Sequence, residues 1–270
     1  MSVGHYENFP VGSLALPRKM RAAVHAIYRF ARYADDVADE GDARAEDRLA
    51  ELARLDDDLR RIAAGERPQI ELMAPLAEAI QAHRLPLQPF HDLLSAFGQD
   101  VEKTRYQSFG ELVDYCRRSA NPVGRLMLAL HGVDDARSLA QSDGICTALQ
   151  LINFWQDVAV DWRKGRVYLP QEDLARFGVS EGQIDAGLAD ARWRALMLSQ
   201  VERARKMLQA GAPLAKQLGG RFGFELRLII LGGDRILSKL HASGGDVFKQ
   251  RPKLSAWDWI YMIGRACLAR

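Results

Sequence analysis

The chain has 270 residues, 48% of them hydrophobic and 27% charged, and its 37 Lys and Arg nearly balance 35 Asp and Glu for a formal net charge of +2. That composition excludes overall disorder and a nucleic-acid binder held by bulk charge. The length is ample for a real core and fits one large or two small domains.

Cys116, Cys146 and Cys267 form no C-x-x-C pair and no even count, so a reducing cytosol is the expected setting. The first ten residues lack the cationic flank and apolar run of a signal peptide, and no stretch approaches the ~18 apolar residues of a membrane span. A cytoplasmic protein is expected, at most attached peripherally to the inner membrane surface.

Nearly every segment reads at helical period, and strand alternation is missing, so the fold class is all-α. The first helix starts after Pro17: Met20, Val24, Ile27, Tyr28, Ala31, Ala34 and Ala38 recur at spacings of three and four, and Gly41 suits its stop. Further helices are predicted at about 44–64, 69–83, 87–102, 108–131 with a break at Pro122, 135–163, 189–217, 221–242 and 255–268. Short connections and the absence of a linker or repeat predict a single domain over 1–270, a multi-helix bundle around a central cavity. The run Asp56-Asp57-Asp58 reads as a solvated helix face.

Two acidic constellations carry the chemistry. The first helix ends in D-D-V-A-D, where Asp35 and Asp39 lie one turn apart on one face with Asp36 beside them. Like charges at that spacing cost an isolated helix roughly 0.2–0.5 kcal/mol, and carboxylates at a helix C-terminus also oppose its dipole. Something must compensate them. In the 135–163 helix, Gln150, Asn153, Asp157 and Asp161 make a narrow polar stripe among Leu151, Ile152, Phe154, Trp155, Val158, Val160 and Trp162. Residues apolar nearly all round mark a buried helix, where two carboxylates and an amide are costly without ionic partners.

Hard cations suit such oxygen donors, and Mg²⁺ typically takes a few carboxylates plus substrate phosphate oxygens. Asp35, Asp36, Asp39, Asn153, Asp157 and Asp161 are therefore the candidate metal ligands, with two solvated acidic faces as the alternative reading. No His stands at zinc or di-iron spacing. Basic groups that suit a diphosphate lie close in sequence: Arg29 and Arg32 before the first motif, and R-K-G-R-V-Y-L-P at 163–170 after the second.

The segments A-I-Y-R-F-A-R-Y-A-D-D-V-A-D at 26–39 and A-L-Q-L-I-N-F-W-Q-D-V-A-V-D-W-R-K-G-R-V-Y-L-P at 148–170 resemble the squalene/phytoene synthases, from about His5 to Arg251. The resemblance implies the all-α isoprenoid synthase fold, a prenyl diphosphate substrate, two or three Mg²⁺ ions and no nucleic acid. H-Y-E-N-F-P-V-G-S at 5–13 and S-A-N-P-V-G at 119–124 are most similar to the hydroxysqualene synthases of bacterial hopanoid pathways. Such an enzyme turns presqualene diphosphate and water into hydroxysqualene without NADPH, and its neighbours would make presqualene diphosphate and reduce hydroxysqualene.

Carried over residue by residue, the resemblance implies catalytic roles for Asp35, Asp39, Asp157 and Asp161. It also implies diphosphate contacts from Arg32, Arg166, Tyr168 and Arg251. Tyr115 and Gly124 fall in a helix-break segment where the backbone approaches the prenyl chain, and Gln150 faces a ligand or the reacting carbons. Phe9 and Tyr28 are candidate π-faces for a carbocation, with Phe30, Phe154, Phe222 and Phe224. Where many relatives carry Ser-Lys-Ser-Phe, this chain has Tyr6-Glu7-Asn8-Phe9. Glu7, with His5 or Asn8, is expected to position the quenching water. A tyrosine that some relatives place on the penultimate long helix is here Gly232 or Gly233.

The tail at 254–270 sets Trp257, Trp259, Tyr261 and Arg265 around an apolar face, which suits either packing on the bundle or peripheral membrane contact. Condensation of two farnesyl diphosphates, phytoene synthesis from longer substrates and a non-catalytic assembly role on the same fold are the rival readings. Intact acidic motifs weigh against the last.

Overall fold

The structure, a computed structural model, describes residues 18–268. These form thirteen α-helices: α1 (Arg18–Asp39), α2 (Ala45–Ala63), α3 (Ala74–His83), α4 (Gln88–Glu102), α5 (Phe109–Ser119), α6 (Asn121–Leu130), α7 (Ala136–Arg163), α8 (Gln171–Phe177), α9 (Glu181–Asp185), α10 (Ala191–Gly211), α11 (Leu214–Leu218), α12 (Gly220–Ala242) and α13 (Ala256–Leu268). A single 3-10 turn, Glu71–Met73, leads into α3, and no strand occurs among the described residues. The all-α expectation holds. Among the described residues two compact units divide the chain, one formed by 18–103 with 115–139 and the other by 104–114 with 140–268.

In the first unit, α1 packs on α2, α3 and α4, and α4 also packs on α6. Phe30, Leu55, Leu59, Met73, Leu76, Phe90, Leu93 and Leu126 are all buried there. Phe30 meets Phe90 edge-on, with ring centroids 5.5 Å apart, an arrangement favoured by the ring quadrupoles. Truncating a core leucine to alanine typically costs about 2–5 kcal/mol.

The aspartate run on α2 is not a uniformly solvated face. Asp57 is exposed and paired with Arg60, and Asp56 meets His91 Nδ1 at 2.5 Å. Asp58 is 2% exposed and accepts the backbone N–H groups of Gln69 and Ile70 at 2.9 and 2.8 Å. Its carboxylate satisfies donors in the turn before α3, which the chain supplies in place of water.

In the second unit, α12 packs on α10, α11 and α13, and α8 packs on α10. Trp193 of α10 is fully buried, donates its indole N–H to Gly245 O at 2.9 Å and tilts against Phe248. Gly245 has φ 74°, and a Cβ there would collide with Met197, so the turn after α12 requires glycine on both counts.

The break expected at Pro122 within 108–131 is present, falling at Ala120 with Pro122 in the first turn of the new helix. Other expectations change. The helix predicted for 189–217 divides at Ala212-Pro213, where Pro213 stands at the N-cap of α11 and has no N–H to continue the preceding helix. Helices α8 and α9, of seven and five residues, arise where only turns and loop were expected.

Candidate functional site

The first acidic motif closes α1. Asp35, Asp36 and Asp39 are half-buried, whereas Arg32 and Glu40 are exposed. Arg32 lies 3.4 Å from Asp35, 2.7 Å from Asp36 and 3.1 Å from Glu40, so one guanidinium serves three carboxylates. Burial alone would lower the Arg32 pKa, but Asp36, Asp35 and Glu40 outweigh it and raise it.

A second cation was not singled out from the sequence. Arg48 of α2 donates to the carbonyls of Val37, Ala38, Gly41 and Ala43 at 3.0, 2.6, 2.6 and 3.0 Å. These include the last carbonyls of α1, which have no intrahelical donor. A guanidinium at the negative end of the helix also opposes the repulsion that three carboxylates create there. Arg32 on the same helix and Arg48 on the next both contribute to the compensation that the D-D-V-A-D motif demands. Arg44, Asp47 and Arg48 open α2, but nothing in their spacing identifies the carbonyls they reach.

The second motif lies on α7. Leu151, Ile152, Phe154, Trp155 and Val158 are buried, and Gln150, Asn153, Asp157 and Asp161 form a half-buried stripe. Arg251, from the segment between α12 and α13, grips Asp157 through both guanidinium arms: Nε to Oδ1, and Nη2 to Oδ2 at 3.0 Å. Both side chains are 17% exposed. Beside them, buried Gln156 donates to Pro252 O at 2.7 Å, fastening the segment that presents Arg251. Gln156 was legible only as one more residue of the motif.

The loop after α7 starts with a left-handed stop. Gly165 has φ 75° and donates to Trp162 O, while Arg166 N–H reaches back to Asp161 O at 2.9 Å. That pair of bonds is a Schellman cap, and it brings Arg166 back over the last turn of the acidic stripe. Arg105 supports the loop from outside the motif, donating to Gly165 O at 2.5 Å and to both oxygens of Glu181 at 2.6 and 2.9 Å. The bond from Arg105 is the main reason that Glu181 sits below its ordinary carboxylate pKa. Val167 N–H to Thr104 O and Gln171 N–H to Tyr106 O, both 2.9 Å, tie the loop to the segment before α5. Tyr168 stacks on Phe154 with centroids 3.8 Å apart and planes within 8°, and the Tyr106 ring lies 5.7 Å from it.

The remaining expected residues have distinct placements. Tyr28 is half-buried on α1, one turn before Arg32. Tyr115 is buried in α5, and its hydroxyl donates to Asp100 of α4 at 2.7 Å. Gly124 is half-buried in the first turns of α6. Phe222 and Phe224 are half-buried at the start of α12. A Cβ at Gly233 would lie 3.0 Å from Leu149, 3.2 Å from Leu208 and 3.3 Å from Ile152, so α12 approaches α7 and α10 too closely for a tyrosine at that position. His5, Glu7, Asn8 and Phe9 lie outside the described residues.

Among the described residues no three His, Cys, Asp or Glu side chains converge on one point. Neither motif alone is a complete protein cage. Mg²⁺ is commonly held by one or two carboxylates with the remaining positions left to water and substrate phosphate, and the all-oxygen donor set of each motif fits that ion.

The family described as squalene/phytoene synthase matches residues 3–258. A hydroxysqualene synthase of Sinorhizobium fredii is 35% identical over 92% of this chain and 84% of its own length. A 15-cis-phytoene synthase of Synechococcus elongatus is 32% identical over 93% of this chain and 85% of its own. The crystal structure of squalene synthase HpnC from Alicyclobacillus acidocaldarius superposes with a TM-score of 0.82 at 38% identity, covering 89% of this chain and 90% of that one.

Proposed function

The chain belongs to the squalene/phytoene synthase family, and from that premise we propose that it converts presqualene diphosphate and water into hydroxysqualene and diphosphate, with Mg²⁺ and without NADPH. The observation that carries this reading is the half-buried oxygen stripe Asn153, Asp157 and Asp161 with the Arg251 guanidinium on Asp157 and the Arg166 backbone N–H on the last turn. Carboxylates of that kind hold cations, and guanidinium groups beside them hold phosphate oxygens.

In this reaction the bond from carbon to diphosphate breaks with its electron pair leaving on oxygen. The cyclopropylcarbinyl cation rearranges, a water oxygen adds to carbon, and one proton is released. Mg²⁺ bound by Asp35, Asp36, Asp39, Asn153, Asp157 and Asp161 would neutralise the departing diphosphate. Arg32, Arg166, Tyr168 and Arg251 orient that group by donating hydrogen bonds. Phe154 fixes the plane of Tyr168 through their stack. Gln150 orients a ligand, Glu7 with His5 or Asn8 positions the water, and Phe9 and Tyr28 offer π-faces to the cation. Along α12, Leu228, Ile229, Ile230 and Leu231 are four consecutive apolar residues, each only half-buried. Consecutive positions point to all sides of a helix, so this stretch keeps apolar surface open for a hydrocarbon chain.

The resemblance to a 15-cis-phytoene synthase at 32% identity favours a second reading, condensation of two longer prenyl diphosphates. Purified protein with Mg²⁺ and no NADPH, given presqualene, farnesyl or geranylgeranyl diphosphate in separate incubations, separates the two. Hydroxysqualene from presqualene diphosphate is the expected product; phytoene from geranylgeranyl diphosphate, or no turnover of presqualene diphosphate, overturns the reading.

A further inference from the structure

Helix α13 has two apolar faces, and only one of them is used within the chain. Asp258, Met262 and Ala266 are buried along one side, where α13 packs on α12. On the other side Trp257 is 78% exposed, Ile260 60%, Tyr261 52%, Ile263 47% and Leu268 82%. At roughly 100° per residue, positions 263, 256, 267, 260, 264, 257, 268 and 261 fill an unbroken arc of about 160°. Every side chain in that arc is apolar or small and none is charged. Scattered exposed hydrophobics need no explanation, but a contiguous stripe led by a tryptophan marks an interaction surface.

The fringe of the arc is cationic. Arg265 and Lys253 are exposed, and Arg235 of α12 lies over the Tyr261 ring with its guanidinium 5.7 Å from the centroid. The one carboxylate on α13, Asp258, is turned inward and bound by Arg235 at 2.5 Å, Lys239 at 2.6 Å and Ser255. No acidic group of α13 opposes an anion at the outer face.

We propose that the outer face of α13 seats the protein on an anionic lipid surface. Trp257, Ile260, Tyr261, Ile263 and Leu268 enter the boundary between headgroups and acyl chains, with Arg235, Lys253 and Arg265 against lipid phosphates. Trp and Tyr suit that depth because each has an apolar body and one polar atom. Apolar burial and basic attraction act together in such helices. A second copy fits the face less well, since a two-fold contact would bring the same cationic fringe against itself. None of these residues belongs to the acidic motifs, so the proposal stands independently of the reaction assigned above.

The test uses the full chain in flotation with phosphatidylcholine vesicles, with and without phosphatidylglycerol. The protein floats with the anionic vesicles, less so as salt is raised. The double variant Trp257→Ser/Ile260→Ser keeps its thermal midpoint, both side chains being exposed, and binds at least about tenfold more weakly. Lys253→Glu/Arg265→Glu loses the preference for anionic vesicles. Failure of the parent protein to float, or equal flotation of the serine variant, overturns the proposal. So does a concentration-dependent dimer that these substitutions abolish.

Discussion

Arg251 and Asp157 are 94 residues apart in sequence and joined by a two-armed, half-buried ion pair. Each side chain retains 17% exposure, so neither charge is fully hydrated and each depends on the other. Removing one partner leaves the second without its main compensation. Arg251→Met is expected to lower stability by about 1–3 kcal/mol, a fall in thermal midpoint of several degrees that differential scanning calorimetry resolves. Asp157→Asn keeps an acceptor for Arg251 but loses the anionic charge, so under the proposed reaction turnover drops by about 10²–10³ with a smaller change in midpoint. Equal activity of Asp157→Asn and the parent protein would remove Asp157 from the chemistry.

Arg48 makes a second kind of compensation, to carbonyls rather than carboxylates. Its four acceptors lie at the end of α1 and in the turn beyond. Arg48→Met retains most of the aliphatic stem and removes the donors, and should cost about 1–2 kcal/mol. Hydrogen exchange measured at Asp36 to Asp39 should accelerate more than exchange at the start of α1, because the loss is confined to the last turn. A uniform change along the helix would contradict a local capping role.

The motifs and the helical period were legible because both are local. Asn153, Asp157 and Asp161 repeat every four residues, and that repeat sets their shared stripe. Partners were not legible where chain separation decides them. Nothing around Arg251 points to Asp157, and nothing around Arg48 points to Val37 O. The aspartate run shows where local information was present and misread: Leu52, Leu55 and Leu59 define the buried side of α2, and Asp58 falls one residue from Leu59 and three from Leu55. The same period that placed the leucines inside places Asp58 with them. Helices α8 and α9 are too short to express a period at all, and α9 is held by the reciprocal Ser180 and Gln183 cap.

Tyr168 can be divided into ring and hydroxyl. Its ring lies parallel to Phe154 at 3.8 Å, so Tyr168→Phe preserves the stack and removes only the donor, while Tyr168→Ala removes both. The alanine variant should lose roughly 1–3 kcal/mol of stability from the ring contact and the cavity left behind. The phenylalanine variant, which keeps the ring contact, should lose less stability than the alanine variant. If the hydroxyl donates to diphosphate as proposed, Tyr168→Phe still raises KM for the diphosphate substrate by about tenfold, the loss of one hydrogen bond to a charged group. A KM unchanged in Tyr168→Phe would confine the residue to packing.

Asp258 makes the attachment of α13 sensitive to acid. Burial would raise its pKa, but hydrogen bonds from Lys239, Ser255 and Arg235 outweigh burial and hold it well below the usual carboxylate range. The folded value is thus lower than the unfolded value of about 3.9. Folding binds fewer protons at this group than unfolding does, so its contribution is complete above the unfolded pKa and is lost as pH falls from there toward the folded pKa. Asp258 also accepts the backbone N–H of Ser255 at 2.7 Å, while Ser255 Oγ accepts the Asp258 N–H at 3.3 Å, a reciprocal cap on the first turn. Asp258→Asn should therefore cost about 2 kcal/mol at pH 7, or roughly 4–8 °C in thermal midpoint, with exchange of the α13 amides accelerated most. The gap between variant and parent should narrow on acidification from about pH 5 to pH 2, because protonation does to the parent what the substitution did to the variant. A gap that stays constant over that range would show that the cap and packing, rather than the charge of Asp258, hold α13 on α12.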